Sequence, residues 1–127
     1  MFIYKLLLVG FGGFLGTVAR YLSVRSIDIK FNGAFPFGTL AVNIVGSFVL
    51  GIVWAWAARR TGDTDNFRLF LITGFCGGFT TFSAFAFENF NLIDQKLHST
   101  SILYIISSVL LGILAVVGGI LAGKNLW

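Results

Sequence analysis

Hydrophobic residues dominate four stretches of this 127-residue chain, and short polar segments separate the stretches. The apolar stretches cover about residues 2–23, 37–58, 67–92 and 101–122. Each is about 20 residues or longer, which is the length that an α-helix needs to cross a hydrocarbon core of about 30 Å. The pattern predicts an all-α membrane protein, with one domain of four transmembrane helices over residues 1–127.

The third stretch differs from a simple lipid-facing helix in its small and hydroxyl residues. Residues 74–85 read GFCGGFTTFSAF, and each glycine in a helix costs about 1 kcal/mol relative to alanine. The pair Gly77 and Gly78, followed by hydroxyl residues, predicts that this helix is broken in mid-membrane near the two glycines. Non-helical backbone at that depth is tolerated only where it is buried in protein or lines a water-filled path. The segment is therefore a candidate ion-binding or permeation site.

Small residues recur at four-residue spacing in three of the four stretches. The pairs are Gly12 and Gly16, Ser47 and Gly51, and Gly119 and Gly123. Such spacing allows helix backbones to approach each other closely in a membrane, so we expect tight contacts between helices. The first stretch is long, contains Arg20 and lacks a small-x-small cleavage site after it. We therefore expect a retained helix there rather than a signal peptide.

Composition and charge agree with a membrane setting. Hydrophobic residues make up 57% of the chain and charged residues 11%, with a net charge of +4. In a bundle of four spans, the basic residues divide into Lys5, Arg59, Arg60, Arg68 and Lys124 at one end, and Arg25, Lys30 and Lys96 at the other, with Arg20 just inside the first helix. This small imbalance barely fixes an orientation, so weakly biased insertion and insertion in both orientations are both open. The basic residues do not gather on one face, so we expect no nucleic-acid partner.

Polar side chains inside the spans are further candidates for chemistry. Arg20 is either an interfacial anchor or a positive group at the mouth of an anion pathway. Asn43 makes either a hydrogen bond between helices or a donor in a pore. Glu88 is the only acid within a span, which makes it a candidate proton or cation carrier, or a partner for Arg20. Tyr104 and Ser108 share a face of the fourth helix and could form one wall of a polar track.

Phenylalanines follow the glycine pair at regular spacing. Phe79, Phe82 and Phe85 are three residues apart, and they would share a face if the chain were helical there. The edge of a phenyl ring is positive, so ring edges can stabilise an anion. Core packing is the other interpretation, and the residues alone favour it.

The chain resembles the Fluc (CrcB-type) fluoride channel family over its whole length. The resemblance is carried by GFCGGFTTFSAF at 74–85, GTLAVN at 38–43 and Arg20. It implies a passive, fluoride-selective channel that protects a microbe from cytoplasmic fluoride, as a multi-pass protein of the inner (plasma) membrane. It also implies an antiparallel, dual-topology homodimer with two pores and a structural sodium ion at its centre.

The resemblance also implies roles for individual residues. Gly77 and Thr80 would give backbone carbonyls to the sodium ion, and Phe82 and Phe85 would present their rings to fluoride. The other residues of the fluoride pathway would be Arg20, Asn43, Thr81, Ser83, Tyr104 and Ser108, with Glu88 as a structural polar partner. The family motif commonly reads TFSTF, whereas this chain has Ala84 in place of the second threonine. One hydroxyl near the rings is therefore missing.

Fluoride chemistry fits these side chains, and other functions fit them less well. Fluoride is small and tightly hydrated, so a pore must replace its water with neutral donors that bind it without trapping it. The strongest alternative is a small proton-coupled exporter, in which Glu88 alone would have to be the coupling carboxylate. A structural membrane subunit would leave the broken helix unexplained. We expect no enzyme, because the sequence has no nucleophile–base pair, metal cluster or phosphate loop.

Overall fold

Four helical spans make up the protein. The structure, a computed structural model, describes residues 1–126, and no strand occurs among them. The spans are α1 (Phe2–Lys30), α2 (Phe37–Ala58), a third span over Asp65–Asp94, and α6 (His98–Lys124). Each is long and apolar enough to cross a membrane. The predicted all-α architecture with four such helices is confirmed, although α1 continues seven residues beyond the end of its apolar stretch at residue 23.

The third span consists of helical pieces with a break between them. The pieces are α3 (Asp65–Arg68), a π-helix (Leu69–Cys76), the single turn α4 (Gly77–Phe79) and α5 (Phe82–Asp94). Between α4 and α5, the backbone is extended at Thr80 (φ −93°, ψ 158°) and at Thr81 (φ −150°, ψ 123°). The third span is therefore broken, as the sequence predicts.

The break lies at Thr80 and Thr81, two residues beyond the glycine pair near which the sequence predicted it. Gly77 has ordinary helical dihedral angles, with φ −62° and ψ −35°, and Gly78 lies within the turn α4. A Cβ atom at Gly78 would come within 2.6 Å of the carbonyl oxygen of Gly13 in α1. Position 78 has no room for a side chain, because α1 and the third span approach closely here. The β-branched threonines that follow adopt the extended conformation.

Glycines bring the spans together in two pairs, α1 with the third span and α2 with α6. A Cβ atom at Gly16 would collide with the carbonyl oxygen of Phe75, and one at Gly119 would collide with the carbonyl oxygen of Phe48. The predicted close contacts between helices are therefore confirmed. They hold the first half of the third span firmly against α1 and leave α5 to contact α6.

The outer surface of the bundle is apolar. Phe14 in α1 and Leu114 in α6 are each more than 60% exposed, and Phe82 in α5 is 78% exposed. Water is a poor solvent for side chains of this size, because their burial in an apolar medium is worth about 1.5–3 kcal/mol each. The surface therefore fits a multi-pass protein surrounded by lipid.

We predict that Gly16→Ala destabilises the protein by about 1–3 kcal/mol, because the new methyl group forces α1 away from the backbone of Phe75. The matched control is Gly10→Ala, since a Cβ atom at Gly10 meets nothing within 4 Å. Alanine there should be neutral or stabilising by up to about 1 kcal/mol. Denaturant titration of both variants in detergent micelles measures the difference, and equal stability of the two variants would contradict the packing role of Gly16.

Candidate functional site

Asn43 of α2 satisfies the backbone at the break. Its Nδ2 donates to the carbonyl oxygen of Thr81 at 3.1 Å, and the N–H of Thr81 donates to its Oδ1 at 2.8 Å. The side-chain amide thus donates one hydrogen bond to Thr81 and accepts another from it, as the backbone of a neighbouring β-strand would. A backbone polar group without a partner in hydrocarbon costs several kcal/mol, so this pair of bonds stabilises the extended conformation.

The two threonines of the break make the remaining local hydrogen bonds. Thr80 donates to the carbonyl of Cys76 from its N–H at 3.0 Å and from its hydroxyl at 2.9 Å, which closes the end of α4. Thr81 is the N-cap of α5, where its Oγ1 accepts the N–H of Ala84 at 3.2 Å. Threonine is among the residues that cap helices well, so the sequence TT both ends one half-helix and begins the next.

Two backbone carbonyls at the break have lost the donors that a continuous helix would give them. In an α-helix, the N–H of residue i+4 donates to the carbonyl of residue i. The N–H of Thr81 donates to Asn43 and not to Gly77, and the N–H of Ala84 donates to the hydroxyl of Thr81 and not to the carbonyl of Thr80. The carbonyls of Gly77 and Thr80 are those that the family resemblance assigns to a cation, and neutral oxygens of this kind suit one.

Arg20 of α1 contacts the same broken span. Its Nε donates to the carbonyl oxygen of Gly78 at 3.0 Å, which puts a positive charge at the C-terminal end of the half-helix, where the helix dipole favours it. The suggested pairing of Arg20 with Glu88 was wrong. Arg20 also lies outside the cavity beside the break, so its predicted place at the entrance of a pathway stays a prediction.

A cavity of about 310 Å³ lies beside the break, between α2, α5 and α6. Its lining residues are Asn43, Ser47, Leu50, Thr80, Thr81, Phe82, Phe85, Ser108, Val109 and Gly112. No charged side chain is among them. Ser108 lines the cavity, and its hydroxyl is buried and makes no hydrogen bond. The structure thus brings together Asn43, Thr81, Phe82, Phe85 and Ser108, all of which the sequence analysis names as pathway candidates.

Two of the three spaced phenylalanines reach this cavity. The rings of Phe82 and Phe85 are 5.8 Å apart between centroids and tilted by 45°. Phe85 also meets the ring of Tyr104 edge-on at 5.0 Å. Phe79 lies on the other side of the break and stacks on Phe75. The three rings do not share one face, because the extended residues interrupt the helical repeat.

Glu88 and Tyr104 form a hydrogen-bonded cluster with Thr39. The Tyr104 hydroxyl donates to Glu88 Oε1 at 2.8 Å, and the Thr39 hydroxyl donates to Oε2 at 2.7 Å. Tyr104 is completely buried. Both carboxylate oxygens have a donor, so the geometry fits the structural polar partner that the sequence suggests for Glu88 better than an exposed carrier.

The structure places Ser83 apart from the other pathway candidates, and it contains two polar residues that the sequence analysis missed. Ser83 is exposed and lies outside the cavity, with its hydroxyl 3.4 Å from that of Thr81. Thr39 and Ser47 were missed, although Thr39, Asn43 and Ser47 are four residues apart and share one face of α2. That stripe of polar side chains in an apolar helix was the signal that could have found them.

The comparison with known proteins identifies the family. Residues 7–120 match the model of the CrcB-like protein family, Camphor Resistance (CrcB). The chain belongs to the CrcB family. It is 49% identical to the "Fluoride-specific ion channel FluC" of Chlorobium luteolum, over 94% of this chain and 92% of the relative. Relatives with the same name are 45% identical in Agrobacterium fabrum and 40% identical in Methanococcus vannielii, each over 94% of this chain and 96% of the relative.

Membership of the CrcB family confirms the resemblance that the sequence motifs carry. The relatives are named as ion channels, in agreement with the expectation that this protein is not an enzyme. Four spans capable of crossing a membrane make this CrcB protein a multi-pass membrane protein.

We predict that Asn43→Leu destabilises the protein by at least about 2 kcal/mol, because it leaves the N–H and the carbonyl of Thr81 without partners, at about 1–3 kcal/mol for each group. Ser47→Ala is the matched control, since Ser47 lines the same cavity one turn further along α2. That variant should change stability by less than about 1 kcal/mol. The measurement is denaturant unfolding in micelles, and a fully stable Asn43→Leu protein would show that the break does not need the amide.

Proposed function

We propose that this protein is a passive, fluoride-selective channel through which fluoride leaves the cytoplasm of a microbe across its inner (plasma) membrane. The observation that carries the proposal is the charge-free cavity beside the broken third span, where the buried Ser108 hydroxyl has no partner. The relatives named as fluoride-specific channels support the choice of ion.

The cavity offers fluoride the groups that replace its water. The Ser108 hydroxyl is a donor, and Asn43 has a second N–H beyond the one bonded to Thr81. Phe82 and Phe85 line the same space, so their positive edges can face an anion. None of these groups has a full charge, so the ion is bound weakly enough to leave, as conduction requires.

Other residues assigned to the pathway do not line this cavity. Tyr104 meets the ring of Phe85 edge-on and is itself fixed by Glu88, so it orients Phe85. Ser83 places an exposed hydroxyl beside Thr81. Arg20 adds a positive charge near the same span, which favours the approach of anions over cations.

A second copy of the chain would complete the pathway. Phe82 lines the cavity but is 78% exposed in a single chain, so one side of the cavity lacks a wall. The small imbalance of basic residues between the two ends of the bundle leaves insertion in both orientations open, and two oppositely inserted copies would pair as an antiparallel homodimer. Such a dimer contains two cavities and hence two pores.

A sodium ion at the centre of that dimer would use the freed carbonyls. Gly77 and Thr80 each present a carbonyl whose helical donor bonds elsewhere, and two copies would supply four neutral oxygens. The ion would be structural, joining the broken spans of the two subunits, and it would not be transported. Sodium rather than another cation is what the family resemblance implies.

Purified protein in liposomes tests the function. With the membrane potential clamped by a potassium ionophore, we expect fast release of fluoride and retention of chloride. Phe82→Ile and Phe85→Ile should lose most of the flux, because isoleucine keeps apolar bulk but lacks a positive ring edge. A fluoride electrode follows the efflux.

The control is Phe14→Ile in α1, where the ring is 63% exposed on the outer surface and flux should be unchanged. Comparable release of chloride would refute fluoride selectivity. Flux that depends on an imposed pH gradient would support the exporter instead. Normal flux in both ring variants would show that Phe82 and Phe85 serve only in packing.

The assembly has its own test. In a Cys76→Ala background, Asn125→Cys puts one thiol in the exposed C-terminal segment. An antiparallel dimer predicts labelling from both sides of the membrane in roughly equal fractions, whereas labelling from one side would exclude it. A structure of the dimer should also contain cation density within bonding distance of the Gly77 and Thr80 carbonyls of both subunits.

A further inference from the structure

Another cavity, of about 410 Å³, lies at the end of the bundle where α1 begins, α2 ends and the third span begins. Its lining residues are Lys5, Trp54, Asp65, Arg68, Leu69, Ile72 and Thr73. None of them belongs to the cavity beside the break. The two cavities are therefore distinct.

The positions of the lining residues along their spans put the cavity at the depth expected of a membrane interface. Lys5 is in the second turn of α1, Trp54 is one turn from the end of α2 at Ala58, and Arg68 lies in the first turns of the third span. Each position is where an apolar stretch meets polar residues. Tryptophan and basic residues concentrate at this depth, where the lipid headgroups lie.

The walls of the cavity are amphipathic. Lys5 and Arg68 contribute two positive charges from two different spans, against the single carboxylate of Asp65. Leu69 and Ile72 continue the wall along the π-helix into the apolar part of the span. A ligand that fits has an anionic head and an apolar tail.

We propose that this cavity binds the phosphate headgroup of an anionic phospholipid, with Lys5 and Arg68 as its cationic partners. Basic pockets between transmembrane helices recognise such headgroups, and the guanidinium fork of arginine matches two phosphate oxygens. The exposed hydroxyl-bearing Thr73 lines the same wall. One acyl chain lies along Leu69 and Ile72, so a lipid makes contacts that free phosphate lacks.

Native mass spectrometry of the whole protein in neutral detergent tests the site, with phosphatidylglycerol as the probe and phosphatidylcholine as the neutral comparison. We expect Lys5→Gln/Arg68→Gln to bind phosphatidylglycerol roughly 30-fold more weakly, at about 1 kcal/mol for each basic residue and 1.4 kcal/mol for each factor of ten. The matched control is Arg25→Gln/Lys30→Gln, which removes the same charge from the other end of α1. It should bind like the unmodified protein.

Asp65→Asn is expected to tighten lipid binding, which loss of the folded structure would not do. Removing the one carboxylate of the cavity should tighten phosphatidylglycerol binding several-fold, whereas Asp94→Asn at the far end of the third span should leave it unchanged. Equal losses in the two double variants, or equal binding of phosphatidylcholine, would overturn the proposal. Displacement of the lipid by an equal concentration of inorganic phosphate would do so too, since it would identify a site for free anions.

Discussion

The hydrogen bonds between the Asn43 side chain and the backbone of Thr81 are the interaction on which the rest of the site depends. A chain in hydrocarbon cannot leave its N–H and carbonyl groups unpaired, so a span can open only where another group takes the place of the lost helical bonds. Asn43 does this at 2.8 and 3.1 Å. Because the N–H of Thr81 pairs with α2, the carbonyl of Gly77 loses its helical donor. The carbonyl of Thr80 loses its donor because the N–H of Ala84 donates to the Thr81 hydroxyl, and the cavity at the break acquires a polar wall.

Glycines and threonines have different structural roles in the motif of the third span. Gly78 stays helical and admits the backbone of α1, which a Cβ atom would displace. Thr80 and Thr81 supply the extended conformation, and the side chain of Thr81 also caps the helix that follows. Arg20 then binds the Gly78 carbonyl from α1. Close packing and the break are thus adjacent but separate properties of one short sequence.

Hydropathy predicted the four spans because a bilayer imposes both their length and their apolarity. The motif GGFTTF predicted that the third span breaks, but the extended residues are the threonines rather than the glycines two residues before them, since glycine serves close helix contacts as well as unusual backbone. Asn43, Phe82, Phe85 and Ser108 were predicted at one site, and the structure brings them together. The partners of Arg20 and Glu88 could not be predicted, because they depend on how α1, α2 and α6 pack around the third span.

The backbone conformation of Thr80 and Thr81 in a bilayer tests this account most directly. Solid-state NMR of the labelled protein in lipid gives the carbon chemical shifts of each threonine, and these shifts report the local dihedral angles. The structure predicts extended shifts at both residues, between helical shifts at Phe79 and Phe82. Helical shifts at Thr80 and Thr81 would mean that the third span is continuous, and they would contradict the account of the site.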